Sequence, residues 1–139
     1  EGGRVLTGGS RIRLEGNLEE GWYMEPTVIE GLDYQCRTNQ EEIFGPIVTI
    51  TPFSTIEEVL KMANSTKYGL ASSVWTNDIN KANYVSKKIH AGIVWINCWL
   101  LRDLRTPFGG VKQSGVGREG GNEALQFFTE PKNVCIKYN

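Results

Sequence analysis

The chain has 139 residues, enough for one domain of ordinary size, and its 15 basic and 16 acidic side chains leave a net charge of -1. That balance supplies no electrostatic field for holding nucleic acid or an anionic membrane, so a small-molecule partner is expected. Three irregularly spaced cysteines and a single histidine, His90, fit neither a disulfide framework nor a histidine-based metal site; no metal and a reducing, cytoplasmic setting are the expectations.

Glu1 stands where an initiator methionine would, which fits a chain cut from a longer one or processed at its start. Residues 4–9 read as a short strand ended by glycines, residues 11–14 as a second, and Glu15, Gly16 and Asn17 as a turn, so a hairpin-like start is expected. Residues 21–29 are aromatic and β-branched, and Pro26, with no ladder donor, marks an edge or a strand entrance. Residues 47–53 are dominated by β-branched side chains, which suits a buried strand.

Ser54 then opens a helix through a capping box with Glu57; Ile56, Val59, Leu60 and Ala63 recur at helical spacing, and Gly69 lies beyond its end. Residues 70–75 form a second core strand. Asn77 or Asp78 caps a second helix that carries Ile79, Ala82, Val85 and Ile89 on one face. Gly92 stops it, and residues 93–96 form a third strand. This alternation predicts an α/β fold built on a parallel βαβ layer. The longest apolar runs, such as residues 91–96, are far too short to span a bilayer, and a soluble protein is expected. Residues 97–121 turn polar and glycine-rich with no periodicity, the mark of a long functional loop. Asn122 caps a short helix through about Phe128. After Pro131, residues 133–138 alternate Val134, Ile136 and Tyr138 as a final strand.

Several motifs admit a functional and a bland reading. Residues 115–120 satisfy G-x-G-x-x-G, but a polar loop rather than a strand precedes them, so a tight glycine-permitted loop is favoured over a phosphate cradle. Cys98 follows a core strand where a nucleophile can be presented, although a buried, inert cysteine is the more frequent outcome for this residue type. Glu41 and Glu42 precede a Gly45-Pro46 turn, where a carboxylate can accept hydrogen bonds from vicinal hydroxyls or simply be solvated. Arg102 and Arg105 either pair with Asp103 in a solvated loop, or one of them enters a pocket walled by Trp99, Leu101 and Phe108 and clamps a carboxylate.

Four blocks, Glu41-Glu42-Ile43-Phe44-Gly45-Pro46, Ser65-Thr66-Lys67-Tyr68-Gly69-Leu70-Ala71, Gly92-Ile93-Val94-Trp95-Ile96-Asn97 and residues 107–119, together resemble the aldehyde dehydrogenase superfamily in order and spacing. Residues 99–106 look most like the 2-aminomuconic and 2-hydroxymuconic semialdehyde dehydrogenases. The resemblance implies an NAD-dependent enzyme, with NADP as the other option, that oxidises a carboxylate-bearing semialdehyde. Within it, Glu42 matches the position that binds the nicotinamide ribose and Phe44 the aromatic beside the nicotinamide. Cys98, Arg102 and Phe108 match positions along the substrate tunnel, Arg102 as the carboxylate ligand. The nucleophile, the general base and the cofactor-fold glycines have no counterpart here, so this stretch is expected to be an inactive C-terminal fragment. The resemblance further implies that residues 1–130 are the later part of the catalytic domain and residues 131–139 a strand that builds a homo-oligomer. A stand-alone, non-catalytic interaction module is the alternative.

Overall fold

The computed structural model describes all residues, 1–139. The chain divides into two compact units, Glu1–Thr66 and Lys67–Asn139. The first holds β1 (Arg4–Thr7), β2 (Arg11–Ile12), β3 (Tyr23–Met24), β4 (Thr27–Glu30), the one-turn α1 (Arg37–Gln40), β5 (Ile47–Ile50) and α2 (Ile56–Asn64). The second holds β6 (Tyr68–Gly69), β7 (Ala71–Val74), α3 (Ile79–Lys88), β8 (Ile93–Ile96), β9 (Val111–Lys112) and α4 (Gly121–Phe128).

In the first unit β4 lies between β1, antiparallel to it, and β5, parallel to it. The expected hairpin of β1 with the next strand does not form, because β2 pairs with β3 instead. Thr27, buried at the start of β4, explains how β1 is directed there. Its hydroxyl accepts the Gly9 amide at 2.8 Å and donates to the Glu25 carbonyl at 2.7 Å, locking the end of β1 to the entrance of β4. Pro26 stands at that entrance, where a missing donor costs nothing. β5 is an edge strand of this sheet rather than a buried one: Ile47 and Thr49 are half-buried, while Val48 and Ile50 on the other face are exposed.

The helix after β5 starts one residue later than its sequence suggests. Thr55, not Ser54, is the cap: its hydroxyl accepts the Glu58 amide at 3.1 Å, and the Glu58 carboxylate accepts the Ser54 amide at 2.7 Å. The register follows from burial of Leu60; Ala63, expected on the apolar face, is exposed.

In the second unit β7 and β8 run parallel, Ala71 against Ile93 through Val74 against Ile96, with α3 as the crossover, so the second of the two expected βαβ alternations is present; the first is not, because β5 pairs with β4 and shares no sheet with β7. Asp78 caps α3 by accepting the amides of Asn80 and Lys81. Ala82 and Trp95 are buried in this unit. The long loop is not without structure: β9 pairs antiparallel with β6 inside it. The last helix is capped by Gly120 rather than Asn122. No strand forms over residues 133–138, which find no ladder partner within the chain and lie exposed. No helix is long and apolar enough to cross a membrane.

Candidate functional site

In the first unit the expected cofactor residues sit on a tight reversal just before β5. The Gly45 amide donates to the Ile43 carbonyl at 3.0 Å, the Ile47 amide to the Gly45 carbonyl at 2.8 Å, and the Thr27 amide to the Pro46 carbonyl at 2.8 Å. Two successive narrow turns leave the Phe44 side chain nowhere to pack, and it stands 95% exposed. Glu42, also exposed, lies two residues before it. Of the adjacent glutamates it is Glu41 that is paired, accepting from Arg37 Nε at 2.7 Å; this hydrogen bond raises the Arg37 pKa. A cleft of about 520 Å³ opens here, lined by Glu42, Ile43, Phe44, Arg37, Thr38 and Glu1. Glu1 accepts hydrogen bonds from the Thr38 hydroxyl and the Arg37 amide, and the first of these draws its carboxyl below the ordinary value.

In the second unit the expected substrate residues follow β8. Asn97, in the left-handed region, clasps the loop above it with both side-chain atoms, accepting from the Thr76 amide and donating to the Thr76 carbonyl, each at 2.8 Å. Leu100 is left-handed as well, a conformation that costs a branched residue roughly 1–2 kcal/mol. What offsets it is the buried Trp95, whose indole N–H donates to the Leu101 carbonyl at 2.8 Å while its ring meets Trp99 edge to face at 5.1 Å. The chain is therefore pinned one residue before Arg102.

Arg102 stacks on Phe108, with its guanidinium carbon 4.2 Å from the ring centroid, and Nη2 donates to Glu119 Oε1 at 2.7 Å. Phe108 and Glu119 are themselves one antiparallel bridge, their amides and carbonyls joined reciprocally at 2.8 Å. Phe108 and Glu119 also line a cleft of about 370 Å³ with Leu70, Val116, Phe127 and Phe128, within the size range of small-molecule sites. Asp103 belongs to Arg105, which donates to it through Nε at 2.9 Å and Nη2 at 2.5 Å.

The G-x-G-x-x-G stretch closes this loop on itself. The Gly121 amide at the start of α4 donates to the Leu104 carbonyl at 3.2 Å, so a backbone oxygen takes the amide that a phosphate would need. Gly120, at φ 87, has the Thr106 carbonyl oxygen 2.5 Å from where a Cβ would stand; the glycine lets two backbone segments touch.

Of the residues singled out from sequence, the structure brings Arg102 and Phe108 together and puts Glu42 and Phe44 on one turn. Cys98 is half-buried, and the contact seen there is to its carbonyl, which accepts the Ser73 hydroxyl at 2.6 Å. Sequence reasoning gave Glu119 no role. Its partner is 17 residues away, and no periodicity or spacing rule links the two.

The model of the aldehyde dehydrogenase family matches residues 1–134. A 2-hydroxymuconic semialdehyde dehydrogenase of Pseudomonas putida is 50% identical over 137 residues, covering 99% of this chain and 28% of that protein. A 2-aminomuconic semialdehyde dehydrogenase of Mus musculus is 46% identical, with 99% and 29% covered. Among solved structures, the NAD+ complex of an aldehyde dehydrogenase from Bacillus cereus superposes with a TM-score of 0.85 at 45% identity, covering 93% of this chain and 25% of that one. The P. syringae indole-3-acetaldehyde dehydrogenase in complex with NAD+ and IAA gives 0.88 at 42% identity, covering 99% and 27%. The chain thus spans less than a third of the length of these relatives.

Proposed function

Because this chain belongs to the aldehyde dehydrogenase family, we propose that it forms the C-terminal part of a cytoplasmic, NAD(P)-dependent enzyme that oxidises a carboxylate-bearing semialdehyde to the acid. The observation that carries the substrate class is Arg102, laid on Phe108 just after the carbonyl that the Trp95 indole pins, in a chain 50% and 46% identical to relatives named for muconic semialdehydes. A planar guanidinium with N–H donors to spare suits a carboxylate.

Phe108 and Cys98 line the path to the reacting aldehyde, and Arg102 orients the far end of the substrate. Glu42 accepts hydrogen bonds from ribose hydroxyls, and Phe44 supplies an apolar face for the nicotinamide; their exposure on one rigid turn fits residues that meet a ligand rather than a core. Bound NAD supplies the hydride acceptor. The nucleophile and the general base lie outside the stretch of the relatives that this chain matches. Residues 1–130 belong to the catalytic domain, and residues 131–139 pair with a neighbouring subunit to build a homo-oligomer. The support is the exposure of Val134, Ile136 and Tyr138 in a run with no strand partner of its own.

The test is a comparison of NADH formation by the full-length enzyme carrying this segment, its Arg102→Ala variant and the isolated chain. Arg102→Ala is expected to raise KM about tenfold or more for a carboxylate-bearing semialdehyde, the scale of a lost charged hydrogen bond of roughly 1.5–3 kcal/mol. An uncharged aldehyde is expected to be spared and the isolated chain to form no NADH. Equal effects on both aldehydes would remove the carboxylate role.

A further inference from the structure

We propose that Glu119 is a positioning residue that sets selectivity for charged over neutral aldehydes by holding the Arg102 guanidinium in place. The proposal rests on the reading of Arg102 as the carboxylate ligand and adds the residue that prepares it.

Phe108 and Glu119 face each other across a single antiparallel rung, joined by two reciprocal backbone hydrogen bonds of 2.8 Å. Directly opposed residues of an antiparallel pair stand on the same side of the backbone plane, so one rung offers an aromatic face and a carboxylate side by side. Arg102 uses both: its guanidinium carbon lies 4.2 Å from the Phe108 centroid, and its Nη2 lies 2.7 Å from Glu119 Oε1. An arginine side chain is among those with the most rotamer freedom to lose on binding, and this one has given up part of it before any ligand arrives.

The attachment is single-pronged. A guanidinium carries five N–H donors, and Glu119 engages Nη2, so the other nitrogens remain for a second carboxylate. Both partners are partly exposed, at 44% and 62% of their side-chain surface, which keeps the pair weak enough not to cancel Arg102 as an anion ligand. Glu119 therefore orients the fork without blocking it. A neutral aldehyde gains nothing from the arrangement, while a semialdehyde with a remote carboxylate meets a prearranged donor edge.

The full-length enzyme, Glu119→Gln, Arg102→Ala and the double variant are assayed for KM and kcat on a carboxylate-bearing semialdehyde and on an uncharged aldehyde of equal length. Glutamine keeps the size of the side chain and the backbone rung, and removes the charge. Glu119→Gln is expected to raise KM for the charged substrate about fivefold, as an exposed ion pair allows, with kcat held and the uncharged aldehyde unaffected. In the Arg102→Ala background the same substitution is expected to do nothing further, because the side chain it positions is gone. Full additivity, an equal rise in KM on both substrates, or a fall in kcat on both overturns the proposal, the last by assigning Glu119 to the chemical steps. If Arg102→Ala keeps its selective effect while Glu119→Gln is silent, only the role of Glu119 falls. If Arg102→Ala is itself unselective, the carboxylate reading falls with it.

Discussion

At the scale of single residues, the loop after β8 shows how similar side chains take different work. Arg102 and Arg105 are three positions apart and indistinguishable by type, yet one lies on Phe108 beside Glu119 and the other on Asp103. The division is decided by backbone. Asp103 accepts the Arg105 amide at 2.9 Å and the Thr106 hydroxyl bonds back to the Asp103 carbonyl at 2.7 Å, a local turn that brings Arg105 over the carboxylate. The Arg105 hydrogen bond holds the Asp103 carboxyl below its ordinary 3.8. A depressed carboxyl contributes above its unfolded pKa, and the contribution is lost as pH falls through the folded value. The pair therefore orders this turn near neutrality and lets go in acid below the usual carboxylate range. An NMR titration is expected to place the Asp103 midpoint under 3.8 and the Arg105→Ala variant to return it upward; an unmoved midpoint in the variant would exclude Arg105 as the cause.

At the scale of elements, the pattern of apolar and β-branched residues located β5, α2, β7, α3 and β8 because those elements are governed by interactions between near neighbours in sequence. Their ends were less legible. Ser54 and Thr55 can both cap, and the choice depends on which start lets Leu60 reach the interior of its unit. Thr55 supplies its hydroxyl to the Glu58 amide, whereas Ser54 contributes its backbone amide to the Glu58 carboxylate. Thr55→Ala is accordingly expected to cost about 1 kcal/mol and Ser54→Ala close to nothing, read as shifts of the urea midpoint. Equal shifts would move the cap back to Ser54. The β6 and β9 pairing had no sequence signal, since Tyr68 meets Lys112 and Gly69 meets Val111 across more than forty residues.

At the scale of the whole molecule, the interiors are slight. Leu32 and Leu60 are the buried apolar residues of the first unit, and Ala82 and Trp95 those of the second. Phe53, Ile50, Leu125, Phe127, Phe128, Val134 and Ile136 are exposed, which is more apolar surface than a self-sufficient domain presents. The length allowed a domain that buries most of its apolar surface, and the structure departs from that: its strands and helices are in place, but their outer faces are uncovered. With relatives more than three times as long, further polypeptide is the natural cover for much of this surface. For the last run, deleting residues 133–139 from the full-length enzyme is expected to lower its mass in light scattering. An unchanged mass would mean that oligomerisation lies elsewhere.

The sequence by itself determined the family, the parallel βαβ unit and the turn that carries Glu42 and Phe44, because motif order, short-range periodicity and Gly-Pro turn chemistry are all written in neighbouring residues. Only the tertiary structure decided that β1 pairs with β4, that Thr55 is the cap, that residues 133–138 have no strand partner within the chain, and that Glu119 stands against Arg102. Each of those depends on which distant backbone segments approach one another, as the Phe108 and Glu119 rung does. Such pairings are selected by the free energy of the assembled chain and leave no fixed spacing to read.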